Sequence, residues 1–179
     1  MSGAGPLAEA VEGFLGRLAG ERRCSPHTVA AYRRDLARLL ELCAREGLTS
    51  WAALRAHHVR ALVAAERRRG RSARSIQRTL SAVRTFLDDL VERGEAPQNP
   101  ARSVRAPKAP RTLPATLDAD QAAALLDGIP DRTPLEARDR AMLELLYGAG
   151  LRLAELVGLD LGDADLGARE VRVRRGKGG

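Results

Sequence analysis

The chain has 179 residues, of which 44% are hydrophobic and 30% are charged, so it suits one ordinary domain or two small ones with a packed core. No apolar run reaches the roughly 18 residues that a membrane-spanning helix needs, and the N-terminal residues lack the basic and apolar regions of a signal peptide. The two cysteines, Cys24 and Cys43, have neither a zinc-binding spacing nor a disulfide framework. We therefore expect a cytoplasmic protein without a metal site.

Positive charge is concentrated in the first two-thirds of the chain. The protein carries 30 basic and 23 acidic residues, a formal net charge of +7. Residues 1–115 contain 21 basic and 11 acidic residues, whereas residues 116–179 contain 9 basic and 12 acidic residues. This distribution is typical of a module that binds a polyanion such as nucleic acid.

Four amphipathic helices are predicted before residue 95, because apolar residues recur there at three- and four-residue steps. Ser25, followed by a proline, is a good N-cap for the second helix, and Ser72 begins the fourth. Glycines are predicted to end the helices; they are Gly20, Gly47, Gly70 and Gly94.

Residues 95–115 contain five prolines and four basic residues, and proline is excluded from helix interiors. An extended basic linker is therefore predicted there. Helices resume after Asp118, after a capping box that begins at Thr133, and over residues 151–157.

Residues 170–174 alternate with a period of two, which is the first strand signal in the chain. A hairpin turn is expected at 175–179. Because no partner strand follows that turn, we expect the chain to be a fragment of a longer protein.

Two of the predicted helices combine arginines with short hydroxyl or amide side chains away from their apolar stripes. Such side chains contact phosphates and base edges in a major groove. The alternative is a pair of solvated helix faces, which the local net charge and the basic linker disfavour. The candidate DNA contacts are Thr28, Arg33, Arg34 and Arg38 on the second helix, and Arg74, Gln77, Arg78, Ser81 and Arg84 on the fourth.

Three stretches resemble Xer-type tyrosine recombinases of the phage-integrase superfamily. Residues 23–36, which read RCSPHTVAAYRRDL, are similar to the opening of the family's core-binding domain. Residues 137–159 are similar to the segment that carries its first catalytic arginine, and YGAGLR at 147–152 has the form of the XerC branch. Residues 176–178, GKG, resemble the hairpin that carries its catalytic lysine.

The resemblance implies a mainly α fold in three parts. Residues 1–94 would form a SAM-like four-helix core-binding domain, and residues 95–115 the linker. Residues 116–179 would be the start of a mixed α/β catalytic domain, truncated at its first hairpin.

The resemblance also implies site-specific recombination that cuts and rejoins DNA through a 3′-phosphotyrosine, in chromosome-dimer resolution at cell division. It implies no metal or nucleotide cofactor. The implied partners are double-stranded DNA and a paralogous, XerD-like recombinase subunit in a tetramer on the DNA.

By position, Arg152 corresponds to the first catalytic arginine, Glu155 to its acidic neighbour and Lys177 to the hairpin lysine. A guanidinium can donate two hydrogen bonds to phosphate oxygens in the transition state, and a carboxylate three residues away on one helix face can orient it. A lysine gives a proton to the leaving 5′-oxygen more readily than an arginine does.

The family's His-x-x-Arg box and nucleophilic tyrosine have no counterpart in this chain. Tyr32 and Tyr147 lie in helical stripes and are predicted to pack. We therefore expect the 179-residue chain to bind DNA without cleaving it. The alternative is a non-catalytic helical DNA-binding module or another relative of the integrases, and the coding sequence beyond Gly179 would distinguish them.

Overall fold

A computed structural model describes residues 5–21, 24–110, 113 and 116–174. Within that part of the chain it contains seven α-helices and one two-stranded sheet. The chain divides into two compact units, Met1–Arg111 and Thr112–Gly179, which we call unit 1 and unit 2. Among the described helices none has the length and apolar character needed to cross a membrane.

Unit 1 contains the four predicted helices. The first ends at Gly20 itself, and the predicted caps of the other three are confirmed. The Ser25 hydroxyl accepts a hydrogen bond from the backbone N–H of Thr28, and the Ser72 hydroxyl accepts one from Ser75, both at 3.2 Å. Gly47, Gly70 and Gly94 follow the last three helices with φ of 66°, 72° and 72°, a conformation that favours glycine. The helices are α1 (Pro6–Gly20), α2 (Pro26–Arg45), α3 (Ala56–Arg68) and α4 (Ala73–Glu92).

Helix α4 lies at the centre of unit 1, and α1, α2 and α3 all pack against it. Phe86 of α4 is fully buried. Its ring contacts Phe14 of α1 edge-on at a centroid distance of 5.4 Å, and Trp51 at 4.8 Å. Tyr32 of α2 is half-buried and packs on Phe14 at 5.9 Å, as predicted. One face of α4 therefore organises the apolar core.

The first part of the predicted linker packs against the helices of unit 1 instead of extending away from them. Ala96, Ala101 and Val104 are buried, and Pro100–Ser103 forms a 3₁₀ turn. The Asn99 amide donates to the backbone carbonyl of Arg84 at 2.9 Å. The small apolar residues between the prolines are buried against the helices of unit 1. The number of prolines in a segment does not indicate such burial.

Unit 2 contains three shorter helices, and its predicted caps are confirmed. Asp118 accepts a hydrogen bond from Gln121 N–H at 2.8 Å, and Thr133 and Glu136 form the reciprocal capping box. Many large apolar side chains of unit 2 are exposed; Tyr147, predicted to pack, is 58% exposed. The helices are α5 (Ala119–Asp127), α6 (Pro134–Gly148) and α7 (Leu153–Val157).

The strand predicted over residues 170–174 is limited to the first two of them, and its partner precedes it. Strand β1 (Ala164–Asp165) pairs antiparallel with β2 (Glu170–Val171). The Asp165 carboxylate accepts a hydrogen bond from Ala168 N–H at 2.9 Å and closes the turn between them. A two-residue strand is too short to produce an alternating pattern, so β1 has no signal in the sequence.

Candidate nucleic-acid interface and active site

Helices α2 and α4 pack side by side and leave a groove of about 350 Å³. Thr28, Arg78 and Ser81, three of the predicted DNA contacts, line this groove. Thr28 is positioned by the cap of α2, because its hydroxyl lies 2.9 Å from the Ser25 hydroxyl. The structure thus brings polar side chains of both predicted helices to one surface, which we call the α2–α4 groove.

Three more of the predicted contacts are exposed arginines. Arg34 of α2 and Arg74 of α4 make no hydrogen bond or ion pair with the described residues. Arg33 forms an ion pair with Glu12 of α1, and both side chains are about half exposed. An exposed pair of this kind contributes little to stability, so all three guanidinium groups are accessible to a polyanion.

The remaining predicted contacts are bound to partners within unit 1. The Gln77 amide donates to the carbonyl of Pro107 at 2.8 Å, and Arg84 donates through Nε to the carbonyl of Ala101 at 3.1 Å. The Arg38 side chain is only 13% exposed and pairs with acidic side chains beneath the surface. These three side chains, assigned from the sequence to a DNA-facing surface, hold the helices and the segment after α4 together.

Asp35 is buried beneath this surface and was not predicted from the sequence to be part of the site. Its side chain is 1% exposed, and its carboxylate accepts hydrogen bonds from Arg38 at 2.8 Å and from the Thr79 hydroxyl at 2.9 Å. Arg78 donates Nε to Oδ2 at 3.0 Å and Nη2 to Oδ1 at 3.3 Å. The hydrogen bonds and charge of Asp35 raise the pKa of Arg78. The sequence does contain an indication of this burial, because Asp35 lies beside Leu36 in the otherwise apolar stripe of α2.

A second buried carboxylate extends this cluster to α3. The Glu66 side chain is 2% exposed and accepts a hydrogen bond from Arg69 at 3.0 Å. Arg38 Nη1 lies 3.4 Å from Glu66 Oε2, so Arg38 bridges Asp35 and Glu66. Buried charges require such partners, and together they link α2, α3 and α4 beneath the arginine-rich surface.

In unit 2, Arg152 is the N-cap residue of α7 and is held by one carboxylate. Its backbone N–H donates to Glu155 Oε2 and its Nη1 donates to Glu155 Oε1, both at 2.8 Å. The Arg152 side chain is 64% exposed and that of Glu155 is 12% exposed. The predicted contact is thus present, although Arg152 precedes the helix, because α7 begins at Leu153 with Arg152 as its N-cap residue.

The hairpin after α7 lies beside this arginine–carboxylate pair. Glu155 and Arg174 line one groove of about 320 Å³. Arg174 donates to Asp163 at 2.6 Å and to Asp160 at 3.1 Å. The backbone N–H of Asp160 donates a hydrogen bond to the Asp163 carboxylate. This bond, and to a smaller extent the one from Arg174, lowers the pKa of Asp163. Lys177 lies outside the described residues, and its approach to Arg152 stays a prediction.

Two family models match the chain. The N-terminal SAM-like domain of phage integrases matches residues 11–94, and the phage integrase family matches residues 115–179. The first match covers most of unit 1, and the second covers most of unit 2.

Curated relatives match across nearly all of the chain. Tyrosine recombinase XerC of Azotobacter vinelandii is 49% identical over 168 residues, which are 94% of this chain and 56% of that protein. Tyrosine recombinase XerC of Xanthomonas campestris is 48% identical over 177 residues, which are 99% of this chain and 54% of that protein. The chain therefore spans about half the length of the curated relatives it matches.

Two solved structures are similar in fold. A lambda integrase dimer bound to a COC′ core site has a TM-score of 0.66 at 18% identity, with 89% of this chain and 55% of that chain covered. The Tn1549 transposon integrase in complex with circular intermediate DNA has a TM-score of 0.66 at 16% identity, with 95% and 54% covered. These two structures agree with the chain in fold. The family models that match both units and the curated relatives at 48–49% identity show that the chain belongs to the phage integrase family of tyrosine recombinases.

Proposed function

We propose that the complete protein is a tyrosine-type site-specific recombinase that cuts and rejoins double-stranded DNA. The observation that carries the proposal is the Arg152–Glu155 pair, in which one carboxylate holds both the backbone and the guanidinium of an exposed arginine. Relatives named tyrosine recombinase XerC support it over 94–99% of the chain. Because the chain spans only about half of their length, the activity is proposed for the longer protein.

In the proposed reaction, a tyrosine of the longer protein gives its phenolic proton to a base, and its oxygen attacks the scissile phosphorus. The bond from phosphorus to the 5′-oxygen breaks, which leaves a 3′-phosphotyrosine and a 5′-hydroxyl. Arg152 donates to the non-bridging oxygens as they gain negative charge, and Glu155 keeps its guanidinium in place. Lys177 donates the proton that the leaving 5′-oxygen takes up.

Unit 1 would supply most of the DNA affinity. Its 21 basic and 11 acidic residues give a net charge of +10, whereas unit 2 has 9 basic and 12 acidic residues and a net charge of −3. Arg78 lines the α2–α4 groove, and Arg34 and Arg74 are exposed on the two helices that form it. Each phosphate they neutralise releases counterions, and the affinity therefore depends strongly on salt.

We infer further that the biological role is chromosome-dimer resolution at cell division in the cytoplasm. In this role the protein would act with a paralogous, XerD-like subunit in a tetramer on DNA. The XerC names of the curated relatives and the YGAGLR motif at 147–152 support this narrower assignment. Co-purification of the longer protein with such a subunit on a duplex recombination site would test it.

A titration tests the DNA-binding part of the proposal. The 179-residue chain is added to a duplex of about 30 base pairs at salt concentrations from about 50 to about 200 mM. We expect weak binding whose affinity falls steeply across that range. An affinity that does not change with salt would contradict the electrostatic basis of binding. We also expect no denaturant-resistant adduct on a nicked duplex, and such an adduct would show that the nucleophile lies in this chain.

A non-catalytic DNA-binding module is the second candidate function. It is favoured by the location of the basic surface on unit 1, whereas unit 2 is acidic. The longer protein distinguishes the two candidates. A covalent adduct on a nicked duplex supports the recombinase, whereas tight binding without an adduct supports the module.

A further inference from the structure

We propose that Asp35 is a positioning residue. Its buried carboxylate binds one edge of the Arg78 guanidinium, and the opposite edge then contacts a DNA phosphate. This inference rests on the DNA-binding function proposed above. It assigns to Asp35 a role in DNA recognition, in addition to its role in packing.

The two edges of the Arg78 guanidinium have different surroundings. Nε and Nη2 donate to the two oxygens of Asp35 at 3.0 and 3.3 Å. Nη1 makes no hydrogen bond with any residue that the structure describes, and the side chain is 52% exposed. Arg78 lines the α2–α4 groove together with Thr28 and Ser81. One edge is therefore fixed, while the other is available to a ligand in the groove.

Asp35 itself has a fixed orientation. It is 1% exposed, and Thr79 of α4 and Arg38 of α2 both donate to its Oδ1. Arg38 is in turn within 3.4 Å of Glu66 on α3. A guanidinium held by such a carboxylate loses little conformational freedom when it binds a phosphate, because most of its rotamers are already excluded.

The removal of the Asp35 carboxylate should change DNA affinity in opposite directions, depending on whether Asp35 acts through its charge or through the orientation of Arg78. Asp35 cancels positive charge beside a polyanion, so if it acted through charge alone, its removal would strengthen DNA binding. If Asp35 acts by holding Arg78, its removal weakens DNA binding even though the net charge rises by one. The sign of the change in affinity therefore separates the two effects.

The first experiment replaces Arg78 with lysine, which keeps the charge but cannot make the two-point contact with Asp35. We expect Arg78→Lys to weaken binding of the 179-residue chain to an approximately 30-base-pair duplex at low salt by roughly tenfold. Arg74→Lys is the matched control, because Arg74 lies one turn earlier on α4 and has no partner among the described residues. It should change the affinity less than about twofold, as expected for a phosphate contact without an orienting partner. Equal effects of the two variants would overturn the proposal.

The second experiment measures coupling between Asp35 and Arg78. Asp35→Asn should weaken DNA binding by roughly tenfold in the otherwise unchanged chain. In the Arg78→Ala background, the same change should have no weakening effect, because there is no guanidinium left to position. Thermal unfolding of each variant shows which proteins remain folded. If Asp35→Asn does not fold, the comparison of Arg78→Lys with Arg74→Lys decides the proposal.

Each outcome bears on the proposal. Tighter DNA binding by folded Asp35→Asn would overturn it, because charge cancellation would then be the main effect. A loss of equal size in both backgrounds would also overturn it, because Asp35 would then act only on the fold. If the chain binds duplex DNA normally but Asp35 and Arg78 show no coupling, this inference alone is rejected. A chain that does not bind duplex DNA at low salt rejects the proposed DNA-binding function and this inference together.

Discussion

Arg152 and Glu155 form the contact on which the proposed chemistry depends. The carboxylate accepts from both the backbone and the side chain of Arg152, so the arginine is held at the start of α7 although it is largely exposed. A preorganised donor of this kind stabilises charge that develops in the transition state more than charge in the ground state. Its loss should therefore affect the rate of cleavage and leave DNA binding nearly unchanged.

Replacement of Arg152 with alanine in the longer protein tests this role. We expect the affinity for duplex DNA to change little, while cleavage of a nicked duplex slows by on the order of a hundredfold or more. Arg132→Ala is the control, since Arg132 is an exposed arginine of unit 2 outside the proposed site and should leave both quantities unchanged. Equal losses of binding and cleavage in Arg152→Ala would make Arg152 a binding residue instead.

Lys177 has a separate test in the longer protein. Lys177→Arg keeps the charge but removes the proton that can be transferred, so cleavage of ordinary DNA should slow steeply. A substrate with sulfur in place of the bridging 5′-oxygen has a better leaving group and hardly needs that proton. Lys177→Arg should therefore recover most of its rate on the sulfur substrate, whereas Arg152→Ala should not. The same response in both variants would reduce Lys177 to a phosphate contact.

At the scale of single elements, helix α4 has two functions. Its apolar face, with Phe86 and Leu87 fully buried, forms the centre of the core. Its polar face carries Arg74, Arg78 and Ser81 to the candidate DNA surface. Since one rigid helix carries both sets of residues, packing in the core sets the position of the arginines on the surface.

Helix α3 begins with a cap that should depend on pH. The Nδ1 atom of His58 accepts a hydrogen bond from the backbone N–H of Arg55 at 3.0 Å. Burial, followed by the charges of His57 and Arg55, lowers the pKa of His58, and only the neutral ring can accept. The folded state therefore disfavours protonation, and stability falls as the pH decreases from the unfolded pKa of about 6.5 through the lower folded value.

The difference in unfolding free energy between the unchanged chain and His58→Asn isolates this contribution, because asparagine does not titrate and can also accept a hydrogen bond. We expect the unchanged chain to lose stability relative to His58→Asn below a pH of about 6.5, by less than the roughly 1 kcal/mol that an N-cap contributes. Denaturant unfolding at a series of pH values gives the measurement. Parallel pH profiles for the two proteins would show that the His58 cap does not titrate in this range.

At the scale of the whole molecule, charge and apolar burial are divided between the two units. Unit 1 combines a net charge of +10 with an extensive buried core. Unit 2 is acidic overall and leaves large apolar residues exposed, among them Leu135, Leu153 and Val157. Affinity for DNA should therefore reside in unit 1.

Separate expression of residues 1–111 and residues 112–179 tests this division. We expect residues 1–111 to bind a duplex at least as tightly as the 179-residue chain, because removal of unit 2 removes a net negative charge. Residues 112–179 should bind at least tenfold more weakly than the chain. Fluorescence anisotropy with a labelled duplex gives the affinities, and circular dichroism checks that residues 1–111 remain helical. Binding by residues 1–111 that is more than tenfold weaker would assign a share of the DNA contacts to unit 2.

The sequence by itself determined the local structure and the family. Ser25, Ser72 and Thr133 identified helix starts, and glycines identified helix ends, because a cap is made with residues two to four positions away. Arg152 and Glu155 were paired correctly for the same reason, since three residues separate them. The resemblance of residues 23–36 and 137–159 to tyrosine recombinases agrees with the family models that match both units.

Only the tertiary structure decided which polar side chains are available to a ligand. Arg38 and Arg84 lie on predicted polar faces, yet one pairs with two buried carboxylates and the other binds a carbonyl 17 residues away. Asp35 and Arg78 are separated by 43 residues, so helical periodicity gives no indication of their contact. A buried charge takes whatever partner the packing of helices brings near it, and that choice depends on the fold rather than on spacing along the chain.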